Sequence, residues 1–337
     1  MTEATAPGKI ILCGEHAVVY GRPAIALPLA DLRARVVVEP GDAGSGITID
    51  APDLERRWTL ASAPDHPLSQ LIVGVLDHLG RGAQSDVPAP ALQICITSTI
   101  PIAEGMGSGA AVATALVRAL AAHLGHELPA EAVSTLVYTS ERRFHGTPSG
   151  IDNSVIAFER PIWFVRRPYG HDISSSGHDI SCPDDAAIQN LIEPVTIAAP
   201  FRLLIGDTGV RSLTHLPVGE VRQRWQAETA HYESLFDAIA ACVIRARATL
   251  VQGDIRALGA LLNENQALLE QIGVSSDDLD RLVAAARAAG ALGAKLSGAG
   301  WGGVMIALVM PADGERVAAA LVEAGAARVL ETAVERH

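Results

Sequence analysis

The chain has 337 residues, 49% of them hydrophobic and 19% charged, enough to bury one large core or two ordinary ones. A formal net charge of -12 leaves no basic stripe to neutralise a phosphodiester backbone, which excludes nucleic acid as an expected partner. The four cysteines, Cys13, Cys95, Cys182 and Cys242, form no CxxC pair, the N-terminus lacks a signal-peptide pattern, and no apolar run approaches the roughly 18 uncharged residues of a membrane helix, so a reduced, cytoplasmic protein that spans no bilayer is expected.

The chain opens strand-rich, with KIILCG, ARVVVEP and GITID separated by turn signals, followed by the helix-like PLSQLIVGVLDHLG. LQICITSTIP, 92–101, alternates apolar and β-branched residues with polar ones and ends at a proline, as a strand feeding a loop does. Alanine and leucine dominate 108–124, the composition of a buried helix. Strand, glycine loop and helix therefore follow one another. PIWFVRRPYG reads as another strand, and the near repeat GHDISSS, GHDISCP after it reads as a surface loop, its two HD pairs lacking further ligands at metal spacing. FRLLIGDTG is a strand ending in a turn. Long amphipathic helices follow, one with Leu258, Leu261, Leu262, Asn265, Leu268, Leu269 and Ile272 on a single face. Ser275 with Asp278 can form a capping box for DDLDRLVAAARAAG, after which VMIALVM is a buried strand and GERVAAALVEAG a final helix.

The segment EGMGSGAAVATAL places a glycine loop at the mouth of a helix but has no lysine of the Walker kind. A helix N-terminus leaves about four N–H groups unpaired and carries partial positive charge, so main-chain amides can cradle phosphates while the cation comes from elsewhere. GAGWGG, 298–303, fits GxGxxG formally but precedes a strand, which disfavours dinucleotide binding, and no GxSxG elbow suggests a serine hydrolase. In APGKIILCGEHAVVYG, Lys9 stands before an apolar strand and Glu15 and His16 after it. SERRFHGTPSGIDNS offers Glu141 and, in a turn shaped by glycine and proline, Asp152. Carboxylates are what a magnesium ion and a hydroxyl deprotonation require. Taken singly, Lys9 reads equally as a solvated lysine, Glu141 as an exposed helix residue, Asp152 as a turn residue capping its own backbone, and His16 as a hydrogen-bonded core histidine.

APGKIILCGEHAVVYG, PIAEGMGSGAA, HGTPSGIDN and KLSGAGWGG, in that order and spacing, resemble the motifs of the GHMP kinases over most of the chain. GEHAVVYG is similar to the members that act on mevalonate and lacks the GEHTDYxxG pattern of the galactokinases. The resemblance implies an α+β, two-domain GHMP kinase fold, with an N-terminal ribosomal-S5-like domain over residues 1–198 and a C-terminal ferredoxin-like α/β domain over 199–337. It implies transfer of the γ-phosphoryl group of ATP, with Mg2+, to the 5-hydroxyl of mevalonate. Asp152 is then the catalytic aspartate and Lys9 its partner, since an ammonium keeps a neighbouring carboxylate ionised and stabilises charge on an attacking oxygen. Gly105, Met106, Gly107, Ser108, Gly109 and Ala110 would wrap the ATP phosphates, Glu15, His16, Ser149 and Gly150 would meet the acid substrate, and Glu141 with Ser108 would hold the metal. Homodimer formation is left open.

Two positions depart from the family pattern. GMGSGA has Gly109 where GLGSSA has a second serine, and Trp301 stands where a glycine is usual. The implied alternatives are a family member acting on a phosphorylated acid or on the 3-hydroxyl, with Arg142, Arg143, His145 and Arg211 as available cations, or a non-catalytic sensor, which would be expected to lack Lys9 or Asp152.

Overall fold

The structure is a computed structural model that describes residues 1–82, 90–101, 105–145, 149–167, 190–211 and 215–337, with the side chains of 143–145 left aside. The GHDIS repeat and Cys182 lie outside the described residues.

The first half contains β1 (Thr2–Cys13), β2 (Pro23–Pro40), β3 (Ile47–Ala51), β4 (Arg56–Thr59), α1 (Pro67–His78), β5 (Leu92–Ser98), α2 (Ser108–His123), α3 (Ala130–His145), α4 (Ile151–Phe158), β6 (Ile162–Val165) and β7 (Leu191–Pro194). Its strands form a seven-stranded sheet in the order β4-β3-β5-β2-β6-β7, with β1 paired to β2. β2 is long enough to serve several neighbours: 23–26 pair with β6, 34–40 with β5, and β1 runs antiparallel along it from Thr2 opposite Val38 to Cys13 opposite Ile25. The register of β1 shifts between Pro7 and Gly8, just before Lys9. Such a bulge re-aims the side chains that follow it. α2 packs on β1 and β2 while touching α1, α3 and α4, so it is surrounded on nearly all sides. Its alanines permit this close approach, and Ala110, Ala111, Ala115, Leu116, Val117 and Leu120 are all buried.

The second half contains β8 (Phe201–Asp207), α5 (His215–Ala227), α6 (Thr229–Gln252), α7 (Ile255–Ile272), α8 (Asp277–Ala288), β9 (Gly293–Ser297), β10 (Val304–Val309), α9 (Gly314–Glu323) and β11 (Arg328–Val334). Its four antiparallel strands lie in the order β11-β8-β10-β9, the fourth, first, third and second in sequence. With helices in both crossovers, this is the ferredoxin-like arrangement. α6 reaches back to β1 and β2, and Tyr20 stacks on Phe236 at 4.2 Å between ring centroids.

Three local expectations change. Asp152 lies in the first turn of α4, capped by Gly150, instead of in a turn, because Gly150 takes a left-handed conformation that starts the helix directly after it. The cap of α8 is Ser276, whose Oγ accepts from the N–H of Leu279, while Ser275 Oγ donates to Asp280 at 2.5 Å. α9 is the last helix but not the last element: Arg328–Val334 is an edge strand with polar residues at Arg328, Glu331 and Thr332 breaking its apolar signal.

Candidate active site

The N-terminus of α2 and that of α4 meet around Lys9. Gly107 is the N-cap of α2 at a φ of 74°, and no side chain caps the helix, so its first-turn N–H groups have no side-chain acceptor. A Cβ on Gly107 would stand 2.9 Å from Lys9 Cγ, so only glycine lets the loop lie against that side chain. Lys9 is 4% exposed, and burying an ammonium is tolerated only with partners. Lys9 Nζ donates to Gly105 O at 2.9 Å and pairs with Asp152 Oδ2 at 3.1 Å, while its main-chain N–H donates to Met106 O at 2.9 Å. The side chain of Asp152 is 35% exposed. A buried cation therefore holds a carboxylate that remains open to a ligand.

Glu141, near the C-terminal end of α3, belongs to the same electrostatic cluster. Burial, the neighbouring charge of Asp152 and, in the opposite sense, Lys9 leave its carboxyl pushed up to about 8. A carboxyl that burial and Asp152 keep protonated is one that a divalent cation would ionise, so Glu141 beside Asp152 forms a donor set that suits such a cation. Glu141 and the Ser108 hydroxyl at the head of α2 are the groups that would hold it. At Gly109 a Cβ would meet nothing within 4 Å, so the space where a second serine would stand is open. Among the described residues, no cluster of three or more His, Cys, Asp or Glu side chains could hold a metal by itself.

Glu15 and His16 are placed differently from Asp152. Glu15 is 1% exposed and ion-pairs with Lys295 on β9, which itself is fully buried and also donates to Leu296 O at 2.5 Å. His16 Nε2–H donates to Ala299 O at 2.9 Å, and burial holds the imidazole down at about 4, so it is neutral and Nδ1 is its acceptor nitrogen. Ser149 Oγ accepts from the N–H of Ile151 at 3.4 Å, and residues 146–148 beside it are not described.

Ser297 and Asn265 join the halves and Gln266 braces β9 beside them; the sequence placed Asn265 on an apolar helix face without a role and did not single out the other two. Ser297 Oγ accepts from Ile11 N–H at 3.1 Å and donates to Ile11 O at 2.9 Å; Asn265 Oδ1 accepts from Gly14 N–H at 3.4 Å; Gln266 Oε1 accepts from Leu296 N–H at 2.8 Å. Asn265 and Gln266 are completely buried on α7. Their signal was there to see: two amides at or beside the apolar stripe of a helix have to satisfy something buried. The bonds of Ser297 and Asn265 bring KLSGAGWGG and α7 to β1, and a Cβ on Gly298 would lie 3.9 Å from Gly105 O in the EGMGSG loop.

Residues 70–159 match the GHMP kinases N terminal domain and residues 246–327 the GHMP kinases C terminal domain. The chain belongs to the GHMP kinase family. It is 32% identical to the mevalonate kinase of Pyrococcus horikoshii, over 96% of this chain and 92% of that one, and 34% identical to that of Thermococcus onnurineus, over 96% and 93%. The crystal structure of L. major mevalonate kinase in complex with R-mevalonate superposes with a TM-score of 0.80 at 28% identity, covering 100% of this chain and 96% of that one. As a GHMP kinase the chain has the mixed α and β fold that its motifs implied, and the family's kinase activity is the setting for the uncapped N-terminus of α2 and the ion-paired Asp152. No helix among the described residues is long and apolar enough to cross a membrane.

Proposed function

We infer that this GHMP kinase transfers the γ-phosphoryl group of ATP to the 5-hydroxyl of mevalonate. The observation that carries this reading is the Lys9–Asp152 pair, 3.1 Å apart and opening between the N-termini of α2 and α4. Whole-chain identity of 32% and 34% to mevalonate kinases supports the substrate over a phosphorylated acid. The amides of 105–110 bind and orient the phosphates, with the dipole of α2 complementing their charge. Asp152 accepts the proton of the attacking hydroxyl as its oxygen bonds to phosphorus and the bond to ADP breaks. Lys9 fixes the Asp152 carboxylate and lies where charge grows on the attacking oxygen. Mg2+, when bound at Glu141 and Ser108, supplies neutralisation of the phosphate charge. Glu15 serves this site through Lys295, to which its Oε1 is paired, and His16 offers Nδ1 to the acid substrate.

The test is ADP release with Mg2+ and ATP against separate additions of mevalonate, 5-phosphomevalonate and galactose, with the position of the new phosphate read on the product. Turnover with mevalonate, giving the 5-phosphate, is expected. Turnover with 5-phosphomevalonate alone would move the protein to a different member of the family and make the exposed Arg142 and Arg211 its substrate clamp.

A second expectation comes from Glu141. Its carboxyl titrates at about 8 in the fold and near the ordinary carboxylate range in the unfolded chain, so between those values the folded protein binds the extra proton. The contribution of this group to stability is complete below the ordinary range and is lost as pH rises through about 8. In metal-free, nucleotide-free protein, the thermal midpoint of wild type should fall relative to that of Glu141→Gln as the pH is raised from the ordinary carboxylate range to above about 8. Parallel profiles for the two proteins would remove Glu141 from the buried cluster.

A further inference from the structure

Trp301 is held at a φ of 57°, in a run where Gly300, Gly302 and Gly303 also have positive φ. A left-handed tryptophan carries backbone strain that surrounding contacts must offset. Its main-chain N–H donates to Val274 O at 3.0 Å, and its indole Nε1–H donates to Gly273 O at 3.0 Å. Both acceptors lie in the turn that ends α7, of which Gly273 is the C-cap. The backbone is pressed onto that turn as well, for a Cβ on Gly300 would stand 2.0 Å from Val274 O.

On its other side the loop is tied to the end of β8. Gly303 N–H donates to Val210 O at 2.9 Å, and Gly303 O accepts from the N–H and the hydroxyl of Thr208 at 2.9 and 2.8 Å. At its leading end it abuts the phosphate loop: a Cβ on Gly105 would lie 3.8 Å from Ser297 O. The indole thus does not stack on a ring among the described residues; it ties a glycine-rich strip to the rigid end of a helix. The loop is held from two sides and presents its third side to Gly105.

We propose that Trp301 is a positioning residue for nucleotide binding: it locks loop 297–303 against α7 in the shape that faces the phosphate loop, so that the loop is ordered before the nucleotide arrives. The proposal rests on the reading of the glycine loops as a nucleotide site. Apart from Trp301, every residue from Gly298 to Gly303 is glycine or alanine. Without the indole such a segment has to be ordered on binding, which weakens affinity without touching the phosphoryl step.

The experiment compares wild type with Trp301→Gly and Trp301→Phe in the full chain. It reads the Kd of a non-hydrolysable ATP analogue by calorimetry, KM for ATP and kcat with mevalonate, and amide hydrogen exchange over 297–303. Trp301→Gly is expected to raise Kd and KM together by about fivefold, the worth of one well-placed hydrogen bond, with kcat little changed and exchange faster. Trp301→Phe, which keeps the ring and loses the indole donor, should fall between the two. Faster exchange with unchanged Kd and KM would overturn the proposal, leaving Trp301 a purely structural tie, and so would a fall in kcat at constant KM. Wild type that binds the analogue without turning over mevalonate would sink the substrate reading and leave the comparison of Kd values intact.

Discussion

Asp152→Asn should lower kcat by roughly 10²- to 10⁴-fold, the usual worth of a positioned general base, while the Kd of ATP stays within about twofold. The amide is nearly isosteric with the carboxylate and sits in the same first turn of α4, so the scaffold is preserved. What changes is the ability to take a proton and the ion pair with Lys9. The proposed nucleotide cradle draws mostly on α2 and the loop before it, which is why affinity for ATP is expected to survive. Single-turnover rates with saturating mevalonate are the appropriate readout, because product release would otherwise mask part of the loss. A variant with wild-type turnover would remove Asp152 from the role of base and leave Lys9 as the principal contribution of the site, acting on charge alone.

Lys295→Met is expected to cost about 3–5 kcal/mol of stability, since it strands Glu15 as an uncompensated charge in a site that water does not reach. Burial already raises the Glu15 carboxyl, and Lys295 is the largest influence opposing that rise. Oxygen Oε2 of Glu15 has no hydrogen-bond partner among the described residues, so the lysine carries most of the compensation. Glu15→Gln/Lys295→Met should recover a large part of the loss, because an unpaired buried charge is worse than a neutral pair. Denaturant midpoints for wild type, both single variants and the double variant close the cycle and isolate the coupling. Additive single losses would mean that the two side chains do not act on one another.

How much of this was legible in the sequence depended on the kind of signal. α2 and β10 were readable because they are buried on nearly all sides, so their composition alone announces them. The Lys9–Asp152 pair was readable only as two motifs in the right order; its members lie far apart in the chain, and pairing of that kind is settled by the path of β1 beside α4. β11 was missed because an edge strand faces solvent and keeps polar residues, and the helical start of α4 was missed because glycine and proline before Asp152 signal a turn whether or not a helix follows. Glu15 is the instructive case. A carboxylate after a strand in a motif looks like a ligand-binding group, yet in the folded protein it is occupied by a lysine from the far end of the chain, a partner that no local pattern reveals.

That distance also has a meaning for synthesis. Glu15 and Lys295 are 280 residues apart in sequence. At translation rates of about 5–20 residues per second, the partner of Glu15 is made roughly 14–56 s after Glu15 itself. Through that interval β1, which carries Lys9 and pairs along the length of β2, leads into a carboxylate that has no counter-ion to enter the interior with. β1, made well before β9, is therefore late to reach its final surroundings, and the end of it that leads to Glu15 stays hydrated until β9 emerges.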